Sequence, residues 1–387
     1  MHKRNVYIKK VVVAIDSFKG SLTTFQAGKA IEDGVKKVYN DAEIVISPIA
    51  DGGEGTVDAI ISAVNGEIVE TTVCDPLGRK IQATYGYIQK TKTAVIEMSA
   101  ASGITLIKED ERNPMDTTTY GVGEMILDAI SKGCRKFVIG IGGSATNDGG
   151  VGMLQALGFE FLDENGKQVG IGAKGLKDIV SIRLENAAGE LKECSFCIAC
   201  DVKNVLCGTD GCSAIYGAQK GATPEMIKDM DKWLENYAQM TKQVITDSDE
   251  NIPGTGAAGG MGFAFLSYLN AQLMSGIELV MKETDLESHI KDADLVITGE
   301  GRLDGQSYMG KAPIGVAKLA KKYNKPVVAF SGCVTDDAVV CNEYGIDAFF
   351  PIVRKPCTLA EAMNVDNAYK NLKDTAEQVF RLIRVGI

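Results

Sequence analysis

The stretch GIGGSATNDGG, residues 140–150, has the composition of a loop that binds an anion. It follows the β-branched run KFVI, which predicts a buried strand, and it precedes a segment with helical spacing. Glycine lets a ligand approach the backbone N–H groups, and a helix start adds unpaired donors. A tight turn with an Asn or Asp cap is the structural alternative. We expect a cradle for phosphate or carboxylate, with the candidate residues Gly142, Gly143, Ser144, Asn147 and Asp148.

Other predicted strands also end in loops rich in glycine and carboxylates. DSFKGS (16–21) follows the apolar run KKVVVAID, and ADGGEGT (50–56) follows EIVISPIAD. Ligands of open parallel sheets bind beyond the carboxyl ends of the strands, so we expect these loops to lie around one crevice. The acids at these strand ends are Asp16, Asp51, Glu54, Asp148, Asp201, Glu300 and Asp304.

The residue types favour phosphoryl transfer. Acids and phosphate-binding donors coexist when a cation lies between them, and Mg²⁺ on nucleotide phosphates is the simplest such cation. The chain has only two histidines, so a Ser-His-Asp mechanism would depend on His289 alone, and a carboxylate is the better candidate for a general base. A nucleotide or anion sensor without catalysis stays open, as does a metal-dependent hydrolase or lyase.

Three motifs resemble cofactor sites without fitting them. The glycines at 254, 256 and 259 spell G-x-G-x-x-G, but no strand precedes them. GQSYMGK (305–311) is followed by alanine, so the hydroxyl that a P-loop places on Mg²⁺ is absent. Cys194, Cys197 and Cys200 lie along a predicted strand, where alternate side chains point to opposite faces, so we expect reduced thiols there.

Composition narrows the class of protein. The net charge of −10 argues against a nucleic-acid surface. No apolar run approaches the roughly 20 residues of a membrane span, and the run after the basic N-terminus is too short for a signal peptide. We therefore expect a cytoplasmic protein that does not bind membranes.

Strands alternate with helices at both ends of the chain, whereas residues 67–107 have the alternating pattern of antiparallel hairpins. The helix predicted at Thr223-Pro224 has Thr as its cap and Pro in its first turn. We predict a last helix over 359–384 and another at AVVCNEYG. The sequence thus predicts an α/β fold with more than one domain.

The chain resembles the bacterial type-1 glycerate kinase family, collinearly from about Lys10 to Arg384. Each shared motif is several residues long and their order is kept. The motifs are DSFKGS (16–21), ADGGEGT (50–56), GIGGSATNDGG (140–150), CDV (200–202), QKGATPE (219–225), GAAGGMG (256–262) and TGEGRLDGQS with GKAP (298–313).

The resemblance implies ATP-dependent phosphorylation of D-glycerate with Mg²⁺. It also implies a discontinuous flavodoxin-like domain, 1–70 plus 288–387, with a parallel sheet between two helical layers. An inserted α/β domain with a mixed sheet, 71–287, would follow, and the active site would lie in a cleft between the two. We expect 2-phosphoglycerate more than 3-phosphoglycerate, and oligomerisation stays open.

The resemblance also implies roles for single residues. Lys19 and Lys311 would neutralise phosphate or the glycerate carboxylate, while Asp51, Asp201 and Glu300 would ligate Mg²⁺. Asp16, Glu54 and Asp304 would share metal binding and proton acceptance with them. Further residues expected to bind substrate or phosphate are Ser17, Gly20, Gly52, Gly53, Gly142, Gly143, Ser144, Asn147, Asp148, Lys220 and Ser307.

Overall fold

The computed structural model describes residues 7–50, 55–309 and 311–386. The strands are β1 (Lys10–Val13), β2 (Glu43–Ile46), β3 (Glu67–Cys74), β4 (Lys80–Ile88), β5 (Thr93–Glu97), β6 (Lys136–Gly140), β7 (Glu160–Leu162), β8 (Ser181–Arg183), β9 (Ser195–Ala199), β10 (Gln272–Met274), β11 (Leu295–Leu303), β12 (Val327–Val334) and β13 (Ala348–Pro351). The helices are α1 (Thr24–Lys36), α2 (Thr56–Val64), α3 (Ser99–Ser102), α4 (Tyr120–Ser131), α5 (Val151–Ala156), α6 (Ala173–Leu176), α7 (Cys212–Tyr216), α8 (Pro224–Val244), α9 (Ala257–Leu269), α10 (Gly276–Glu283), α11 (Leu286–Lys291), α12 (Ala312–Lys322), α13 (Leu359–Met363) and α14 (Val365–Val385).

The chain divides into two compact units. The first comprises Met1–Asp51, Asp58–Val64 and Ile277–Ile387, and the second comprises Gly52–Val57 and Asn65–Gly276. The domain boundaries given in the sequence analysis stay a prediction.

The first unit contains a parallel sheet in the order β2-β1-β11-β12-β13. Numbered by first appearance in this sheet, the order is 2-1-3-4-5, which is the flavodoxin-like arrangement. Val11, Val13 and Ile297 pack on one face against residues of α1 and α14, while α12 packs against β11. Apolar strands buried in this way explain the continuous apolar runs in the sequence.

The second unit contains a mixed sheet in the order β10-β9-β6-β5-β4-β3. β10, β9, β6 and β5 run parallel, whereas β5, β4 and β3 form the predicted antiparallel hairpins. Its core contains Phe137 and Phe196, whose rings stack with centroids 4.9 Å apart. The α/β class, with one parallel and one mixed sheet, is confirmed.

Two predicted helices differ from the observed ones. The last helix is broken into α13 and α14 because the Asn364 side chain accepts the N–H of Asn367 and caps a new helix. AVVCNEYG lies in a 3₁₀ helix, Asp336–Tyr344, whose buried residues Ala338 and Cys341 have the three-residue spacing that this helix places on one face.

The predicted start of α8 is confirmed. The hydroxyl of Thr223 accepts the N–H of Met226, and Pro224 occupies the first helical position. Among the described residues, no helix is both long enough and apolar enough to cross a membrane.

Candidate functional site

The glycine-rich loop of the second unit follows β6, a central strand of the mixed sheet. Gly142 and Gly143 are exposed, and Gly143 has a φ of +73°, which disfavours any side chain at that position. Within the described residues, we find no acceptor for the N–H groups of these two glycines. Exposed, unpaired N–H groups at a strand end are suited to binding an anion.

Lys220 places a buried positive charge beneath this loop. Its side chain is 3% exposed, and Nζ donates to Oγ of Ser144 (2.9 Å) and to the carbonyl oxygen of Thr146 (2.6 Å). Burial lowers the pKa of Lys220 to about 8, although the charges of Cys212 and Asp148 oppose the shift. No carboxylate in the described part of the chain forms an ion pair with this ammonium. An anionic ligand would supply the missing charge.

Asp148 lies inside the protein, where it organises the loop. Its carboxylate accepts the N–H (2.8 Å) and the hydroxyl (2.9 Å) of Thr119, and also the N–H groups of Gly150 (3.2 Å) and Gly152 (3.3 Å). Burial raises the pKa of Asp148, and these donors offset part of that shift. The Asp148 oxygens are thus engaged by donors from Thr119, Gly150 and Gly152, and the expectation that Asp148 contacts phosphate stays a prediction.

Asn147 is also fully buried. Its Nδ2 donates to Oγ of Ser213 (2.8 Å), whereas its Oδ1 and the Thr146 hydroxyl have no hydrogen-bond partner in the described structure. Buried polar atoms without partners are rare and concentrate where a water, ion or ligand is missing. The predicted role of Asn147 in phosphate binding stays a prediction.

The GAAGGMG segment supports the loop from the other side. Ala258, Gly259 and Gly260 have positive φ values of 53°, 68° and 96°. The N–H of Gly149 donates to the carbonyl of Gly259 (2.9 Å), and a Cβ on Gly259 would lie 2.1 Å from the carbonyl oxygen of Thr146. This segment therefore packs backbone against backbone on the loop.

Asp201 follows β9, the neighbour of β6, so both strand ends open at the same edge of the mixed sheet. The Asp201 side chain is exposed, and its Oδ1 accepts the N–H of Gly276 (3.1 Å). Glu97, the last residue of β5, is a further carboxylate at the end of a strand of this sheet, and its Oε1 accepts the N–H of Val57 (2.9 Å). It was not among the residues predicted from the sequence.

In the first unit, the DSFKGS loop lies beside β11. The N–H of Asp16 donates to the carbonyl of Gly299 (2.9 Å), and the N–H of Ser17 donates to Oδ1 of Asp16 (2.6 Å). A Cβ on Gly301 would meet the backbone of Phe18 and Lys19 at 3.4 and 3.6 Å. Asp16 is buried, whereas Lys19 and Gly20 are exposed. The loop thus places the Lys19 backbone next to the strand that carries Glu300.

Glu300 has an unusual environment. Its Oε1 accepts the hydroxyl of Ser307 (2.8 Å) and lies 3.8 Å from Nζ of Lys311. Burial raises the pKa of Glu300 to about 7, and the negative charges of Asp16 and Asp304 add to the effect, while Ser307 and Lys311 oppose it. A carboxyl with a pKa near 7 is matched to accepting a proton at neutral pH.

The pKa of Asp304, whose carboxylate shares Ser307 with Glu300, shifts in the opposite direction. Nζ of Lys311 donates to its Oδ1 (3.2 Å), as does the N–H of Gln306 (3.0 Å). Burial acts to raise the pKa of Asp304, but Lys311 and the N–H of Gln306 outweigh it and lower the pKa. The first unit therefore brings together most of its predicted site residues: Asp16, Ser17, Lys19, Gly20, Glu300, Asp304, Ser307 and Lys311.

Four predicted site residues, Asp51, Gly52, Gly53 and Glu54, lie outside the described residues. Among those described, no three His, Cys, Asp or Glu side chains are close enough to hold a metal ion by themselves. Magnesium usually retains several waters and takes only one or two carboxylates beside substrate phosphates. Asp16 and Glu300, whose charges are close enough to interact, are two carboxylates of the kind that this coordination requires.

Known proteins match this chain over nearly its whole length. The model of the glycerate kinase family matches residues 11–384. The chain is 47% identical to glycerate kinase of Haemophilus influenzae, covering 97% of this chain and 98% of that one. It is 46% identical to glycerate 2-kinase of Escherichia coli K12, covering 98% and 99%. A solved structure from Salmonella typhimurium LT2, assigned as glycerate kinase 2, superposes with a TM-score of 0.91 at 44% identity and covers 98% and 99%. The chain belongs to the glycerate kinase family.

Proposed function

We propose that this protein transfers the γ-phosphoryl group of ATP to D-glycerate, with 2-phosphoglycerate and ADP as products. The observation that carries the proposal is the glycine loop over Lys220, whose unpaired N–H groups and buried ammonium are suited to binding an anion. Because the chain belongs to a kinase family, we expect the bound anion to be a group of one of the kinase substrates. The name of the E. coli relative, glycerate 2-kinase, supports the 2-position.

In this proposal, the glycerate hydroxyl oxygen forms a bond to the γ-phosphorus, and the bond to the β–γ bridging oxygen breaks. The hydroxyl proton passes to a carboxylate, and ADP carries away the electron pair of the broken bond. Glu300 is our candidate acceptor, because burial raises its pKa to about 7, which suits proton transfer at neutral pH. Lys311 and Lys19 would balance negative charge on the substrate.

Magnesium, held by Asp16 and Glu300, would neutralise charge on the phosphates when ATP binds. Glu300 is then a candidate for two roles, and one substitution separates them. If Glu300 ligates the metal, E300Q raises the Mg²⁺ concentration that half-saturates the enzyme. If it accepts the proton, E300Q lowers kcat at saturating Mg²⁺ without that shift.

The test of the proposed function is a coupled ADP-release assay with D-glycerate, L-glycerate or tartronate as acceptor and with an acceptor-free control. We expect turnover that depends on D-glycerate, and a product whose phosphorus NMR signal is that of 2-phosphoglycerate. Binding of ATP without turnover would favour a sensor. Consumption of a hydroxy acid without nucleotide would favour a hydrolase or lyase.

A further inference from the structure

Arg112, in the second unit, is a half-buried cation whose Nε has no hydrogen-bond partner among the described residues. Its Nε is inaccessible to solvent and makes no hydrogen bond, and no other nitrogen of this side chain bonds to a residue that the structure describes. Arginine keeps its charge in a protein, so burying the Nε of its guanidinium without a hydrogen-bond partner costs free energy. Such a group is expected to meet a ligand.

Two acids that lie near Arg112 in the sequence form ion pairs with other residues. Glu111, the preceding residue, pairs with Arg79 (2.9 Å), and Asp116 pairs with Lys174. Arg135, in the same unit, pairs with Glu193 (2.9 Å). Arg112 therefore differs from these arginines because no carboxylate in the described protein serves it.

The segment that carries Arg112 begins at the glycine loop and ends against the residue that follows Lys220. At one end, Gly103 pairs with Ser144 in an antiparallel bridge, and the N–H of Ile104 donates to the carbonyl of Gly143 (2.9 Å). At the other end, Arg112 packs on Gly221: a Cβ at that glycine would lie 2.3 Å from the Arg112 carbonyl oxygen and 3.1 Å from its Cβ. Gly221 directly follows Lys220, the lysine that holds Ser144.

We propose that Arg112 is a further ligand-binding residue, which takes an oxyanion of the substrates together with the glycine loop and Lys220. The planar fork of a guanidinium matches the two oxygens of a carboxylate or phosphate. The oxyanion belongs either to the nucleotide phosphates or to the carboxylate of the hydroxy acid. This inference rests on the proposed function and adds a residue that no motif in the sequence indicated.

The experiment compares the wild type with R112Q, R112K and the control R183Q, which removes an exposed arginine from the same unit. ADP and D-glycerate binding are measured separately by calorimetry, and the KM of each substrate by the coupled assay. We expect R112Q to weaken one of the two ligands about tenfold or more, R112K to restore part of the loss, and R183Q to change neither. If R112Q binds ADP more weakly, Arg112 contacts the nucleotide phosphates. If it binds D-glycerate more weakly, Arg112 contacts the carboxylate.

Thermal unfolding of each variant separates ligand binding from a structural role. R112Q should unfold no lower than the wild type, because the desolvated Nε of Arg112 has no hydrogen bond to lose among the described residues. Unchanged affinity for both ligands would overturn the inference while leaving the proposed function intact, and so would a lower Tm with unchanged KM values. A wild type that does not turn over, with ADP binding still weakened in R112Q, would overturn the proposed function alone.

Discussion

The ammonium of Lys220 lies 2.9 Å from the hydroxyl oxygen of Ser144 and joins two separate motifs of the second unit. Ser144 belongs to GIGGSATNDGG and Lys220 to QKGATPE, so residues 76 positions apart meet at the glycine loop. The lysine also holds the carbonyl of Thr146 (2.6 Å), which means that it fixes the shape of the loop as well as its charge.

The first prediction concerns the charge of Lys220. K220M should weaken ADP binding at least about tenfold, because a charge-assisted contact to phosphate is lost. The matched control is K177M, which removes an exposed lysine of the same unit and should leave affinity unchanged. Calorimetric titration with ADP measures both, and equal losses in the two variants would contradict a local role for Lys220.

The second prediction follows from the pKa of Lys220. Burial lowers this pKa from 10.5 to about 8, so the folded protein binds fewer protons than the unfolded chain between these values. Below pH 8 the full cost of the buried charge is present, and it is relieved as the pH rises toward 10.5. Relative to K220M, the wild type should therefore gain about 3 kcal/mol of unfolding free energy across this range. Urea denaturation from pH 7 to 10 measures the difference, and parallel curves would contradict the prediction.

The third prediction concerns Asp148. D148N should destabilise the protein by about 3 kcal/mol, because an amide nitrogen would face a backbone N–H whichever way the side chain is turned. The control is D163N: Asp163 also accepts two backbone N–H groups, from Asn165 and Lys167, but in an exposed turn. We expect a loss below about 1 kcal/mol there. Similar denaturation midpoints for the two variants would contradict the role given to Asp148.

Gly152 provides the fourth prediction. A Cβ at this position would lie 2.2 Å from Oγ1 of Thr118 and 2.8 Å from Oδ2 of Asp148, so G152A should cost about 3 kcal/mol although alanine favours helices. G189A is the control, since no atom lies within 4 Å of its added Cβ. Thermal unfolding should show a lower Tm for G152A alone. An unchanged Tm would contradict the prediction, because it would show that the side chains of Thr118 and Asp148 can move to make room for the added methyl group.

Local signals in the sequence predicted local structure. Thr223 and Pro224 predicted the start of α8 because a cap and a first-turn proline act within four residues. The strand-end rule found Asp16 and Glu300 because parallel strands deliver their following loops to one edge of a sheet. The family resemblance, and not the residue pattern, supplied the flavodoxin-like order.

Long-range partners had no signal in the sequence. The hydroxyl of Thr119 donates to Asp148, 29 positions away, and no local pattern indicates that contact. The inward position of Asp148 was missed for the same reason, since an acid in a glycine loop has the same local pattern whichever way it points. Arg112 was missed because only the folded structure shows that its neighbours Glu111 and Asp116 are paired elsewhere.

The last prediction concerns Glu300 in the absence of metal. Burial raises the pKa of Glu300 from 4.5 to about 7, so the folded protein binds more protons than the unfolded chain between these values. Stability contributed by the protonated carboxyl is present below pH 4.5 and is lost as the pH rises through 7. In EDTA, the unfolding free energy of the wild type should therefore fall by about 3 kcal/mol relative to E300Q over this range. E343Q, which changes an exposed glutamate of the same unit, should follow the wild type. If E300Q and E343Q have the same pH dependence, the buried carboxyl of Glu300 is not the group that titrates, and its assignment as the proton acceptor loses its physical basis.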